Sequence, residues 1–314
     1  MLTIFGRNRG SSCDGISRRD FLTIGGTLLG GGLSLPSLLA AEARSDIRHS
    51  HRAVINVYLP GGPPHIDMWD LKPEAPTEVR GEFTPIATNV PGIEICELFP
   101  SMARMMDKLV IIRSLVGSAG GHTAYQCMTG RTGPQQGVHW PALGAWASKL
   151  QGPVNAAIPP HLSLMYMCGE RNWGYAGEGG FLGVAHAPFR LVGDKPGQIQ
   201  SDNMTLKGIT LEGLQDRTAL LQSFDTLSRD LDQKGVMDGM TAYRQQALGI
   251  LTSSRLVGAL DLSRESPQAL ARYGVDDPKF ERDGAPRMVR NFSIARRLVE
   301  AGARVVTMNF SRWD

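Results

Sequence analysis

Ala53-Val54-Ile55-Asn56-Val57-Tyr58-Leu59, followed at once by Pro60-Gly61-Gly62-Pro63-Pro64, is the stretch on which the fold turns. Its first seven residues form a short, largely β-branched apolar run, the pattern of a strand buried on both faces. The five turn formers behind it deliver the chain into a rigid loop. Two later runs have the same character: Leu109-Val110-Ile111-Ile112-Arg113-Ser114-Leu115, and Arg304-Val305-Val306-Thr307-Met308-Asn309-Phe310. A further strand is predicted over Leu162 to Met167, after Pro159-Pro160. Helices are predicted over Ser101 to Lys108, His122 to Thr129, Trp140 to Leu150 and Pro286 to Ala301. Leu211 to about Leu262 reads as long amphipathic helices, with Leu214, Leu220, Leu221, Phe224, Leu227 and Leu231 near helical spacing. Residues 169 to 205 are glycine-rich and read as surface loops. Apolar strands alternating with helices predict an α/β fold with a mostly parallel sheet sandwiched between helices. The chain stops at Trp313-Asp314, directly behind a core-type strand, so the domain is expected to be incomplete at its C-terminus.

Upstream of the first strand, residues 1–43 read as an export leader. Arg7, Arg9, Arg18 and Arg19 make a basic segment, and Ser17-Arg18-Arg19-Asp20-Phe21-Leu22 resembles the bacterial twin-arginine pattern. A mildly apolar stretch follows to Leu39, broken by Pro36, and Ala41-Glu42-Ala43 supplies a small-x-small cleavage site. Gly25, Gly26, Gly30, Gly31 and Gly32 make this stretch a poor membrane helix, so no stable anchor is expected. The reading implies passage through the twin-arginine translocase and a periplasmic or extracellular location, with residues 44–314 as the mature domain. Twin-arginine cargo crosses already folded, so the domain need not rely on disulfides. Cys96, Cys127 and Cys168 agree: an odd count without paired spacing reads as buried free thiols.

About 270 residues remain beyond the leader, enough for one large or two modest domains. Hydrophobic content of 42% and charged content of 20% describe a globular chain rather than a disordered one. The formal charge is only +3, and no lysine-arginine run in the mature chain suggests nucleic acid.

Two constellations could carry chemistry. In Gly61-Gly62-Pro63-Pro64-His65-Ile66-Asp67-Met68-Trp69-Asp70, the side chains of His65, Asp67 and Asp70 follow the carboxyl end of a strand, where α/β sites lie. Imidazole with carboxylate suits Zn, Fe or Mn, and carboxylates alone suit Mg or Ca. The same residues also suit a turn in which Asp67 and Asp70 cap backbone amides. In the second, Gly120-Gly121-His122-Thr123 feeds a helix whose bare amides could cradle a phosphate or sulfate, with His122 or Thr123 touching substrate or metal. An ordinary glycine-rich helix start with a capping threonine accounts for it equally well. Cys127 reads as a packing residue, His139, His161 and His186 as structural or surface, and Met105-Met106 and Met165 with Met167 as core.

The leader, the run 61–73, the segment Gly121-His122 to Met128-Thr129-Gly130, and Ala295-Arg296-Arg297-Leu298-Val299-Glu300-Ala301-Gly302 through Trp313-Asp314 together resemble the bacterial family called domain of unknown function 1501. The likeness spans nearly the whole chain, and its motifs are most specific in this order. That family is placed near the sulfatases and alkaline phosphatases, so the resemblance implies an alkaline phosphatase-like α/β sandwich. It further implies a divalent metal (Zn, Mn, Ca or Mg), with Asp67 the best-matched ligand and a substrate or metal group near residue 122. Two departures stand out. Sulfatases carry a cysteine or serine nucleophile nine residues before the threonine of their Thr-Gly-Arg run, and here that position is Gly120. Family members also continue after Trp-Asp with Thr-His-Gly and a later Asp-His pair, which this chain lacks. Two functions follow as expectations. One is an exported metal-dependent hydrolase of phosphate or sulfate esters, including those of a polysaccharide, in the full-length form. The other is a non-catalytic exported binding or assembly protein that keeps the fold.

Overall fold

The computed structural model describes residues 52–168, 171–193, 195–199, 204, 213–214, 216, 247–251, 253–280, 282 and 284–313. The export leader lies outside these residues, as do Leu220, Leu221, Phe224, Leu227 and Leu231 of the amphipathic stretch. The chain divides into two units at His51 and Arg52, and the second is described below.

Its elements run in the order β1 (Val54–Tyr58), α1 (Thr77–Arg80), β2 (Pro85–Ala87), β3 (Glu94–Cys96), α2 (Pro100–Ala103), α3 (Tyr125–Thr129), α4 (Leu143–Gln151), β4 (His161–Leu164), β5 (Phe189–Arg190), α5 (Arg255–Leu260), α6 (Pro267–Ala271), β6 (Asp277–Phe280), β7 (Pro286–Arg287), α7 (Arg290–Ala301) and β8 (Val305–Asn309). The central sheet has the order β1-β8-β4-β5, and every pairing in it is parallel. β8 is its heart, with Val54 to Tyr58 registered against Val305 to Asn309 on one side and His161 to Leu164 against Val305 to Met308 on the other. Antiparallel ribbons β2-β3 and β6-β7 stand apart from this sheet. The molecule is therefore an α/β protein with a parallel central sheet and helices on its faces.

Alternation along the strands sorts the two faces. Leu162, Leu164, Val306 and Met308 join Ile294, Ala295 and Leu298 of α7 and Leu256 of α5 in the main core. On the other face His161 lies against Gly144 of α4. β4 and β8 are buried at every position, so their polar residues His161, Ser163, Thr307 and Asn309 are buried along with the apolar ones. α7 ends at Gly302, whose φ of 119° turns the chain into β8. Arg297 and Arg304 then satisfy helix-terminal carbonyls: Arg297 donates to Gly258 (2.7 Å) and Ala259 (2.8 Å) of α5, and Arg304 to Gly152 (2.9 Å) behind α4.

Several sequence expectations are revised. Leu109 to Leu115 is not a buried strand: Val110, Ile112 and Leu115 are 89, 68 and 77% exposed. Its β-branched residues favour extended backbone, but no neighbouring strand pairs with it among the described residues. β1 is a strand but not a buried one, because β8 pairs with only one of its edges and Val54, Ile55 and Val57 stay exposed. Ser101 to Lys108 splits into α2 and a 3₁₀ turn at Met106–Lys108. The helix expected from His122 begins at Tyr125, and the one expected from Pro286 begins at Arg290 because Pro286 is taken into β7. Cys96 and Cys168 are buried free thiols, whereas Cys127 is exposed. Met106 and Met165 belong to the core, but Met105 and Met167 are exposed. No helix among the described residues is long and apolar enough to cross a membrane.

Candidate functional site

The loop leaving β1 reverses at Gly61 and Gly62, whose φ values of 90° and 69° lie in the left-handed region that glycine enters without strain. A 3₁₀ turn at His65–Asp67 follows, and the His65 carbonyl accepts N–H groups from Met68, Trp69 and Asp70 at 3.0–3.2 Å. The three expected metal ligands take different positions on this turn. His65 is exposed, and with Asp70, Trp69, Met102, Leu109–Ile112 and Arg113 it lines a cavity of about 300 Å³. Asp70 is already balanced by Lys72 Nζ at 2.8 Å and Arg113 Nε at 3.8 Å. Arg113 is held in turn by the carbonyls of Trp69 (2.8 Å) and Glu94 (3.2 Å). Asp67 lies instead against Gly81, where a Cβ would come within 2.8 Å of its Oδ1.

The second constellation meets the end of β1 through the His122 carbonyl and the Tyr58 hydroxyl. Gly121 has a φ of 115°, and open space surrounds both Gly120 and Gly121. The Thr123 hydroxyl accepts the Tyr125 N–H at 3.2 Å, so it serves the start of α3. Because Ala124 is the cap and α3 is only five residues long, the amides at 121–123 precede the helix rather than forming its first turn. The His122 ring packs against Trp173, tilted by 32° with ring centroids 4.3 Å apart, and its carbonyl accepts the Tyr58 hydroxyl at 3.5 Å.

Tyr58 is the last residue of β1, and its neighbours build the carboxyl edge of the sheet. Burial, then the nearby Cys127 and Cys168 thiols, push its phenol up to about 12, so it stays a neutral donor at physiological pH. Tyr58 also passes its backbone carbonyl to Phe310 N at 3.1 Å, and Pro60 accepts Trp313 N at 3.0 Å. The loops behind β1 and β8 are thereby laced together. On the β4 side, Asn309 grips Tyr166 twice: its amide donates to Tyr166 O and its carbonyl accepts Tyr166 N, each at 2.9 Å. The same amide reaches Cys168 Sγ at 3.5 Å, which lowers a thiol that burial pushes up to about 11. Ser311, buried just beyond β8, sits at a φ of 62°, a strained value for a residue with a side chain.

The donor set does not by itself fit a metal. No three His, Cys, Asp or Glu side chains converge at metal-binding separation among the described residues, and the Asp70 carboxylate is engaged by two cations. What the edge offers is a neutral phenol, an imidazole on an indole face and an amide-pinned strand end. Tyr58, Trp173, Asn309 and Cys168 were missed by sequence reading, although the terminal position of Tyr58 on a parallel strand was the available signal.

No curated protein and no solved structure matches the chain. Residues 51–314 match the family described as Protein of unknown function (DUF1501), with the strand, loop and helix segments above all inside the match, and the chain belongs to that family.

Proposed function

We propose that this chain is an exported, alkaline phosphatase-like hydrolase acting on phosphate or sulfate esters, those of polysaccharides included, with its substrate at the carboxyl edge of β1 and β8. The observation that carries the reading is the meeting of Tyr58 and His122 at that edge of an all-parallel sheet. His122, with Thr123 and the glycines 120 and 121 behind it, faces the place where α/β folds bind ligands. The Tyr58 phenol would turn its one O–H from the His122 carbonyl to an ester oxygen, and the His122 imidazole, packed against Trp173, would exchange a proton with the leaving group. Asp67, His65 and Asp70 do not converge on one point among the described residues, and Asp70 is engaged by Lys72 and Arg113.

Export through the twin-arginine translocase rests on Ser17 to Leu22, and Arg18→Lys with Arg19→Lys should retain a fused reporter in the cytoplasm. A second reading, a non-catalytic binding or assembly protein, is favoured by the ion-paired Asp70 and by Gly120 at the nucleophile position.

One assay separates the two. The purified chain is given 4-nitrophenyl phosphate and 4-nitrophenyl sulfate, with and without Zn, Mn, Ca or Mg. Turnover that falls at least about tenfold in His122→Ala supports the hydrolase. Binding of phosphate or sulfate without turnover under any condition points to the second reading.

A further inference from the structure

A different feature lies at the opposite, amino end of β4. Residues 179–187 carry two 3₁₀ turns, Gly180–Leu182 and Val184–His186. Glycines punctuate them: Gly180 and Gly183 have φ values of 54° and 87°, and a Cβ on Gly179 would fall 1.9 Å from the Gly183 carbonyl oxygen. Phe181 and Val184 are 51 and 72% exposed, and with Val138 and His139 they line an open groove of about 530 Å³.

Polar fastening of this segment to the sandwich centres on two histidines. His186 Nδ1 lies 2.9 Å from Ser148 Oγ on α4, and the His186 carbonyl faces His161 Nδ1 at 3.4 Å. His161 is 2% exposed, and its Nε2 is buried without a partner. Gly144 makes room for the ring, since a Cβ there would come within 2.1 Å of His161 Cδ2. This slot accepts a neutral imidazole. An imidazolium has two N–H donors and would find one long acceptor.

Charges on the surrounding elements offer no relief. Lys149 on α4 is cationic and acts on His186, Arg190 on β5 turns to Met167 Sδ, and Arg304 before β8 turns to Gln151 and Gly152. Of the groups at the groove, His139 stands edge-on to Tyr125, and Glu178 is exposed with its charge acting on Tyr175. We propose that residues 179–187 form an acid-released flap, latched to α4 and β4 through His186 and neutral His161, and that protonation of His161 frees it and reshapes the groove that its own Phe181 and Val184 line.

The sign is fixed by burial. Desolvation holds His161 down to about 4, and His186 is lowered by burial and then by Lys149. Release of the flap returns His186 to water and uncovers the flap-facing side of His161, whose other side stays against Gly144, so both move up towards about 6.5. The open form therefore binds the proton more readily, and opening gains as pH falls from about 6.5 towards about 4. Full solvation of His161 would make opening about 30-fold more favourable at pH 5 than at pH 7.5, which sets the upper bound.

Hydrogen exchange read by mass spectrometry on the full chain tests this, with rates corrected for the intrinsic effect of pH. Three-residue turns do not persist once detached, so their amides report opening. Going from pH 7.5 to 5, exchange at 180–187 should rise by about five- to 30-fold, and that of α7 by less than about threefold. His161→Phe keeps a ring in the slot and should remove most of the rise, while Ser148→Ala should speed flap exchange at both pH values. No rise in the wild type, an equal rise in α7, or an undiminished rise in His161→Phe overturns the proposal. If His161→Phe fails to fold, the wild-type comparison of flap with α7 and the Ser148→Ala result decide it.

Discussion

Asn309 holds both backbone groups of one residue, Tyr166, and does so from a side chain 1% exposed. Its removal leaves a buried N–H and a buried C=O without partners, each worth about 1–3 kcal/mol. Asn309→Ala should therefore lower unfolding free energy by about 2–5 kcal/mol in a urea titration, and loosen the segment that carries Cys168. Gly144 makes an equally local demand. A Cβ at this position collides with the His161 ring, so Gly144→Ala should cost about 1–3 kcal/mol of stability. Adding His161→Ala to it should restore much of that loss, whereas two independent sites would add. A restoring double mutant identifies the collision, and an additive one refutes it.

Among the elements, α5 and α7 are joined by more than apolar contact. Arg297 projects from α7 to the Gly258 and Ala259 carbonyls at the end of α5 and to Glu265 at 2.6 Å. A helix end buried without such donors leaves its carbonyls unsatisfied. Arg297→Leu keeps much of the apolar stem but removes the donors, and should destabilise the fold by about 1–3 kcal/mol in thermal unfolding. Leu298 on the same helix is fully buried in the main core, and Leu298→Ala should cost about 2–5 kcal/mol. The run 109–116 behaves in the opposite way. Because Val110 and Ile112 are 89 and 68% exposed, Val110→Thr with Ile112→Thr should change the stability of this chain by less than about 0.5 kcal/mol. A loss of several kcal/mol would place those side chains in a core and contradict the exposed run.

For the whole molecule, the parallel order β1-β8-β4-β5 brings sequence segments from both ends of the described chain to one edge. Tyr58 and Trp313 belong to loops that are bonded to each other across the end of β1 and β8. The opposite end carries the neutral His161, whose lowered proton affinity makes the folded form lose stability as pH drops from about 6.5 to about 4. Thermal unfolding in that window should show a falling midpoint, with the slope reduced in His161→Phe. The two ends are thus chemically distinct. One gathers the candidate ester site and the other the candidate acid-released flap.

Some of this was readable before any coordinates. β4, β8 and α7 were legible because their signals are local: proline before β4, mostly apolar runs over residues 162–167 and 305–308, and Gly302 at the helix end. The turn after β1 was equally plain from its glycines and prolines. The run 109–115 has the same composition as a buried strand, yet burial requires a neighbour, and sequence periodicity carries no information about neighbours. Of the site, His65, Asp67, Asp70, His122 and Thr123 could be named from their loops, but not whether they meet.

The amino-acid sequence determined the α/β class, the principal strand and helix segments, and the loop chemistry after β1, since these follow from backbone preference and short-range pattern. Only the tertiary structure decided that Asp70 is spent on Lys72 and Arg113, that Tyr58 meets His122, and that His161 is sealed against Gly144. Each of those depends on which distant segments are brought into contact, and therefore on burial and charge that no local pattern encodes.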